Sequence, residues 1–324
     1  MRYISKEEIL AAREKDTALS MSLAKVMLVS MAVYIAAVIA ALFIFRVNSL
    51  VKLAVFILLF AAGALLVRLM PYIALVILNK DRRGTVNSFR ISRYAKKYKA
   101  LYDLQCSEIC SDRLMFTFDR ALLSERDKFN RFTLLLLKFY AHIKRLEPEK
   151  AYDTLKELNE IFDPHLHFRS DFTFAKLNHA MQFGTYDDFQ RIMDSDPNIF
   201  ERISDRYDGL LAYAGLMVYV NRALGNYRDA LEQLDVMIEF IRKNIEVPYT
   251  GDNVRKLNDK LFSYAHHCLD KADLLLSLGD REGCLEQLTE SDRVAGRILC
   301  DLPPIYLKDH KDLMNKLYPP SAID

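Results

Sequence analysis

Between Val26 and Phe45 the chain runs for twenty residues, VMLVSMAVYIAAVIAALFIF, without one charged side chain. At ~1.5 Å per helical residue such a run spans about 30 Å, the thickness of a bilayer's hydrocarbon core. A signal peptide would have a shorter apolar stretch and a small-residue cleavage site. Here the run ends in Phe43-Ile44-Phe45-Arg46, and a second apolar run, Leu50 to Leu78, follows almost at once.

The second run is interrupted by Lys52, Arg68 and Pro71. Lys52 can snorkel to the outer interface. Two arrangements accommodate the others: the span ends near Arg68 and Met70 to Leu78 continues along the interface, or one tilted helix kinks at Pro71. In either case Arg68 reads most simply as an interface anchor, and the chain crosses twice. The link Arg46-Val47-Asn48-Ser49 is too short for a domain, which predicts a two-helix transmembrane hairpin. Positive residues stay on the cytoplasmic side. The N-terminal arm carries Arg2, Lys6, Arg13, Lys15 and Lys25, and the exit carries Arg82, Arg83, Arg93, Lys96 and Lys97 among others, against only Arg46 and Lys52 at the link. Both termini are therefore expected in the cytoplasm, with the protein in a plasma or inner membrane.

The net charge of +2 conceals a division. Residues 1–99 hold 16 Lys/Arg against 5 Asp/Glu, whereas residues 100–324 hold 29 against 38. A basic base facing anionic lipid and an acidic distal body follow. The acidic body excludes nucleic acid as its ligand, because phosphate binding needs a basic face. The expected organisation is an N-terminal amphipathic helix at 1–25, with a capping box in Ser5-Lys6-Glu7-Glu8, then the hairpin at 26–79. A basic juxtamembrane helix at 80–105 and a helical domain at 106–324 complete it. In the juxtamembrane helix Tyr94, Tyr98 and Tyr102 recur every fourth residue, a stripe that fits either a lipid surface or packing on the domain.

Beyond residue 100 the apolar periodicity is helical throughout, and no stretch alternates long enough for a strand. Breaks fall at Glu147-Pro148, Asp163-Pro164, Gly184, Asp196-Pro197, Gly225, Pro248 to Gly251, Gly279 and Pro303-Pro304. Short turns between such helices imply antiparallel neighbours. Two of the turns are related. Leu224 to Leu234 reads LGNYRDALEQL and Leu278 to Leu288 reads LGDREGCLEQL, identical at six of eleven positions. Phe183 to Arg191, FGTYDDFQR, is a weaker copy, and Leu146 to Leu158, LEPEKAYDTLKEL, is a fourth candidate without the glycine.

Gly225, Asn226, Tyr227 and Ala230 resemble the turn and second-helix start of the tetratricopeptide repeat; Gly279, Asp280 and Cys284 do so in part, Gly184 and Tyr186 less. The first-helix half departs from that pattern, Val218 standing where the family usually has a small residue. The turn glycines lie 41 and then 54 residues apart, against about 34 in a regular array. The expected fold class is thus all-α, a transmembrane hairpin followed by a tetratricopeptide-like solenoid of antiparallel helix pairs. The resemblance implies a concave groove that takes a protein or peptide partner, and its register places Asn178, Tyr219 and Asp273 there, with Arg222 and His266 nearby.

Chemistry-bearing motifs are scarce. There is no Gly-rich phosphate loop, no HExxH and no GxSxG. His165 and His167 form an HxH pair with Asp163 and His179 as the nearest further donors, too few for a supported metal site. His266-His267-Cys268 diverge by about 100° per residue on a helix and make a poor joint site. The five cysteines lack zinc-site or redox-motif spacing and read as thiols in a reducing compartment. The expectation is a membrane-tethered scaffold without catalytic residue, metal or cofactor. The alternative is an accessory subunit of a membrane enzyme or transporter acting through the hairpin, with an unrecognised metal-dependent hydrolase third.

Overall fold

A computed structural model describes residues 6–44, 54, 57–63, 65, 69, 90, 93–164, 169–199, 207–245 and 257–319. The described residues are all-α, without a strand. They fall into two compact units, 10–97 and 98–324 together with 1–9.

Helix α1 (Lys6–Ile44) runs for 39 residues, and all but its first four belong to the first unit. Its apolar half shows no sided pattern. Leu28, Val29, Val33, Ile35 and Ile39 are all exposed, and so are Ile57, Leu58 and Phe60 in the helical residues 57–63. The Tyr34 ring lies directly on Gly63, leaving no room for a Cβ there. Only glycine admits that approach without moving the ring. Among the described residues, no helix is long and apolar enough to cross a membrane. The link at 46–49, Lys52, Arg68, Pro71, Arg82, Arg83 and the Ser5 capping position lie outside the described residues, as do several α1 side chains.

The second unit holds α2 (Lys99–Glu108), α3 (Asp112–Ser124), α4 (Lys128–Lys144), α5 (Pro148–Ile161), α6 (Arg169–Phe183), α7 (Tyr186–Ser195), α8 (Tyr207–Ala223), α9 (Tyr227–Ile245), α10 (Asn258–Ser277), α11 (Arg281–Ala295) and α12 (Pro304–Leu317). Starts are set by local chemistry. Ser111, Asp127 and Asp280 each accept from a backbone N–H of the first turn, Thr185 and Asp188 form a reciprocal capping box, and Pro148 and Pro304 occupy the first helical turn. The tyrosine stripe breaks at Tyr98, a non-helical residue that precedes α2 and donates to Glu125, while Tyr102 is exposed.

Three helices end in the same turn. After α8, Asn226 N donates to Asn221 O and Gly225 N to Arg222 O; after α10, Asp280 N donates to Leu275 O and Gly279 N to Leu276 O. After α4 the pattern recurs with Glu147 N to His142 O and Leu146 N to Ile143 O. Each is a Schellman motif, which closes orphan carbonyls and needs a positive φ at its turning residue. Gly225 and Gly279 supply it at +76° and +82°; Leu146 supplies it at +55°, its side chain packed against the main core cluster. Gly184 is different. It carries no positive φ, and the capping box that follows turns the chain. A Cβ on Gly225 or Gly279 would meet nothing within 4 Å, so the cost of alanine is purely conformational. Gly225→Ala and Gly279→Ala should each lower stability by about 1 kcal/mol in thermal denaturation.

Helices α4/α5, α6/α7, α8/α9 and α10/α11 pack as successive pairs. The last pair also reaches the first elements: α10 packs on α2, α9, α11 and α12, and α12 on α4. The main core cluster joins Ile109 at the end of α2 to Leu261, Phe262 and Cys268 of α10 and to Tyr306, Leu313 and Leu317 of α12. Lys144 of α4 meets Asp259 of α10 at 2.5 Å across 115 positions of sequence. Asn258 Nδ2 donates to Ser107 O at 2.6 Å and Leu299 N to Asn258 Oδ1 at 3.1 Å. In a regular open stack each hairpin touches only its neighbours. Here apolar surface on α2 and α12 gives α10 further partners.

Candidate functional site

The five residues assigned by register to a partner-binding groove fall into two groups. Asn178, on α6, donates to Phe174 O one turn back along its own helix. Tyr219, on α8, packs its ring against Phe189 at 5.0 Å and Tyr186 at 6.5 Å, joining α7 to α8; burial raises its pKa, with Tyr186 and Asp188 adding to the effect.

The other three lie on one polar strip. Phe262, His266, Asp270 and Asp273 recur at helical spacing along one face of α10. Asp273 has both carboxylate oxygens engaged: Arg222 of α8 donates to Oδ2, and Lys316 of α12 donates to Oδ1 at 2.6 Å. Arg222 also stands 3.7 Å from Asp270. His266 Nε2 meets Asp309 of α12 at 2.9 Å, and its ring stacks on Phe262 at 5.6 Å. Burial opposes charge on His266, but Asp270 and Asp309 outweigh it and raise the pKa. The neighbouring His267 is lowered by burial and donates Nδ1–H to Ser263 O.

Beside this strip is a buried hydroxyl pair. Ser291 is fully buried, donates to Ala265 O at 2.7 Å and lies 2.8 Å from the Tyr306 hydroxyl. Tyr306, pushed up to about 12 mainly by burial, contacts His266 and His310 through its ring. His310 pairs with Asp292 at 3.1 Å. The arrangement ties α8, α10, α11 and α12 together through satisfied polar contacts, and such networks give a unique packing rather than a free reactive group. Sequence reasoning missed Asp270, Ser291, Tyr306, Asp309 and Lys316. For the α12 residues there is a local signal: Tyr306, Asp309, Leu313 and Lys316 recur at helical spacing, with Lys316 at the exposed edge of that face.

All five cysteines are free thiols, and burial first of all pushes each of them up, Cys268 to about 12 and Cys300 to about 11. They are protonated at neutral pH and weak nucleophiles. Among the described residues no cluster of three or more His, Cys, Asp or Glu could hold a metal ion. His165 and His167 lie outside them; His179 has a buried Nε2 without a partner among the described residues and packs on Tyr152 and Phe183. Arg93, Lys96 and Lys97 are exposed on the helical residues 93–97. Comparison with protein-family models, with curated proteins and with solved structures returned no match.

Proposed function

We propose that the chain is a membrane-tethered scaffold, held by a helical hairpin within residues 26–79 and presenting a cytoplasmic, tetratricopeptide-like array to a protein or peptide partner. The observation that carries the tether is the exposure of large aliphatic side chains around α1 and along residues 57–63, with Val29 and Val33 at 63% and Leu58 at 70%. A helix apolar on every side needs a nonaqueous environment, and patches of this extent mark a partner or a membrane. The Tyr34–Gly63 contact supports a hairpin. Tyr34 lies 12 residues before Arg46 and Gly63 14 residues after Ser49, as two helical arms of similar length require. The scaffold part rests on the repeated hairpins with their shared turn. The groove assignment extends to exposed surface of the same helices, since Arg222, His266 and Asp273 are engaged internally.

The accessory-subunit reading has one observation in its favour. Among the described residues the Tyr34 hydroxyl is buried without a hydrogen-bond partner, a state that a neighbouring transmembrane protein could relieve.

The test compares the full chain with one lacking residues 1–97, using carbonate extraction and crosslinked partner capture. The full chain should resist extraction and the shortened one should not. Under the scaffold reading both capture the same protein. Capture lost with the hairpin would favour the accessory reading, and full-chain release by carbonate would sink the tether.

A further inference from the structure

Helix α3 buries Leu114, Phe118 and Leu122, yet leaves Phe116 68% and Leu123 89% exposed. At about 100° per residue these two lie within roughly 20° of each other on the outer face, and Arg120 stands between them along the axis, about 40° round. Arg120 is exposed and makes no hydrogen bond or ion pair among the described residues; the same holds for Arg126, just past the helix end. The acidic neighbours are already occupied. Asp112 pairs with Arg145 at 2.8 Å and Asp119 with Lys138 at 2.6 Å. The face therefore offers two large apolar groups, two exposed carboxylates each neutralised by a basic partner, and an unneutralised guanidinium that leaves the balance positive, a composition that suits a lipid headgroup boundary.

We propose that this face of α3 is a second, peripheral contact with the membrane, in which Phe116 and Leu123 enter the headgroup boundary of an anionic bilayer and Arg120 pairs with lipid phosphate. The proposal rests on the tether reading, and chain continuity supports it. In sequence only Tyr98 separates the basic residues 93–97 from α2, whose ten residues plus the turn to Asp112 are on the order of 20–25 Å long. Chain length alone thus keeps α3 within reach of the surface at which that basic segment would lie. Docking there would limit how the array can turn about its anchor.

The chain contains no tryptophan, so Phe116→Trp and Leu123→Trp each create a single reporter. The full chain carrying either is reconstituted into nanodiscs, of phosphatidylcholine alone or with phosphatidylglycerol, using brominated acyl chains as quencher. In anionic discs both reporters should shift to shorter wavelength and be quenched about twofold or more. Arg120→Glu, or neutral lipid, should remove most of that quenching while circular dichroism stays unchanged. Unquenched reporters in chains retained by anionic discs overturn the proposal and leave the tether standing. A blue shift that instead grows with protein concentration in detergent also overturns it, since a second copy then covers the face. Chains that fail to enter discs at all overturn tether and proposal together.

Discussion

Replacing Asn258 with leucine should lower the stability of the helical domain by about 3 kcal/mol, since the change removes a buried side-chain clasp and leaves two backbone groups without partners. Asn258 is 1% exposed at the first turn of α10. Its Nδ2 donates to the Ser107 carbonyl near the end of α2, and its Oδ1 accepts from Leu299 N in the segment between α11 and α12. One amide thus joins three stretches that lie far apart in sequence. Leucine keeps the branching and is somewhat larger, but can neither donate nor accept, so the deficit is polar rather than a cavity. Asn258→Asp is the informative companion. It still accepts from Leu299 N, but an ionised carboxylate faces the Ser107 carbonyl with no proton to give, so it should be as damaging as leucine at pH 7 and partly recover where the carboxyl protonates. Urea unfolding of the full chain in detergent, followed by tyrosine near-ultraviolet circular dichroism, measures both. A loss below about 1 kcal/mol for Asn258→Leu would mean that water or relaxed backbone satisfies those groups and that the clasp is not what holds α2.

The clasp also shows where a sequence stops being informative. Helical periodicity and the Pro/Gly breaks mark the helices, because caps and turns act over a few residues: Asp280, Gly279 and Gly225 do in the structure what their types suggest. Leu146 is legible only by position. Its segment aligns with the other turns but lacks glycine, and in the structure leucine takes the same positive φ with its side chain against the core. Nothing local announces that a buried contact will offset this backbone cost. The engaged state of Asp273 is equally invisible, since its two partners stand 51 and 43 positions away. Register along one helix says which residues share a face; it does not say which helix arrives to cover that face. The packing of α10 against α2 depends on the same kind of distant pairing, which is why a pattern of hairpins suggests an open groove while α10 gains partners at both ends of the domain.

Acid should destabilise the domain in two steps, through His142 and Glu147 at the end of α4. His142 is buried, and burial lowers its pKa against the pull of Glu147, so at neutral pH the ring is uncharged and donates Nδ1–H to Glu147 Oε2 at 2.6 Å. Glu147 is also penalised by burial, but hydrogen bonds from His142, Lys150 and Arg145 outweigh this and hold its carboxyl at about 2, below its ordinary 4.5. Arg145 extends the set by donating to the Cys110 carbonyl and pairing with Asp112, so the network links the start of α3 to the turn between α4 and α5. Both pKa values are depressed on folding. Each group therefore contributes stability that is fully present above its unfolded pKa and is lost as pH falls through the folded one, because the unfolded chain binds the proton first. The first loss begins below about pH 6.5 with His142. The larger begins below 4.5 with Glu147 and is nearly complete at about 2. A tenfold change in proton affinity is worth about 1.4 kcal/mol, so the Glu147 contribution is at most ~3 kcal/mol, and solvent around the exposed Lys150 reduces it to about 2 kcal/mol. His266 runs the other way, its raised pKa adding stability at low pH that is lost as pH rises, so the His142 step is partly masked in the whole protein. Glu147→Gln isolates the carboxylate. It should cost about 2 kcal/mol at pH 7 and flatten the stability profile from roughly pH 5 down, so that the two proteins converge near pH 2. Parallel profiles over that range would show that Glu147 titrates as it does in the unfolded chain, and that the turn after α4 is held by its backbone bonds and by Leu146 alone.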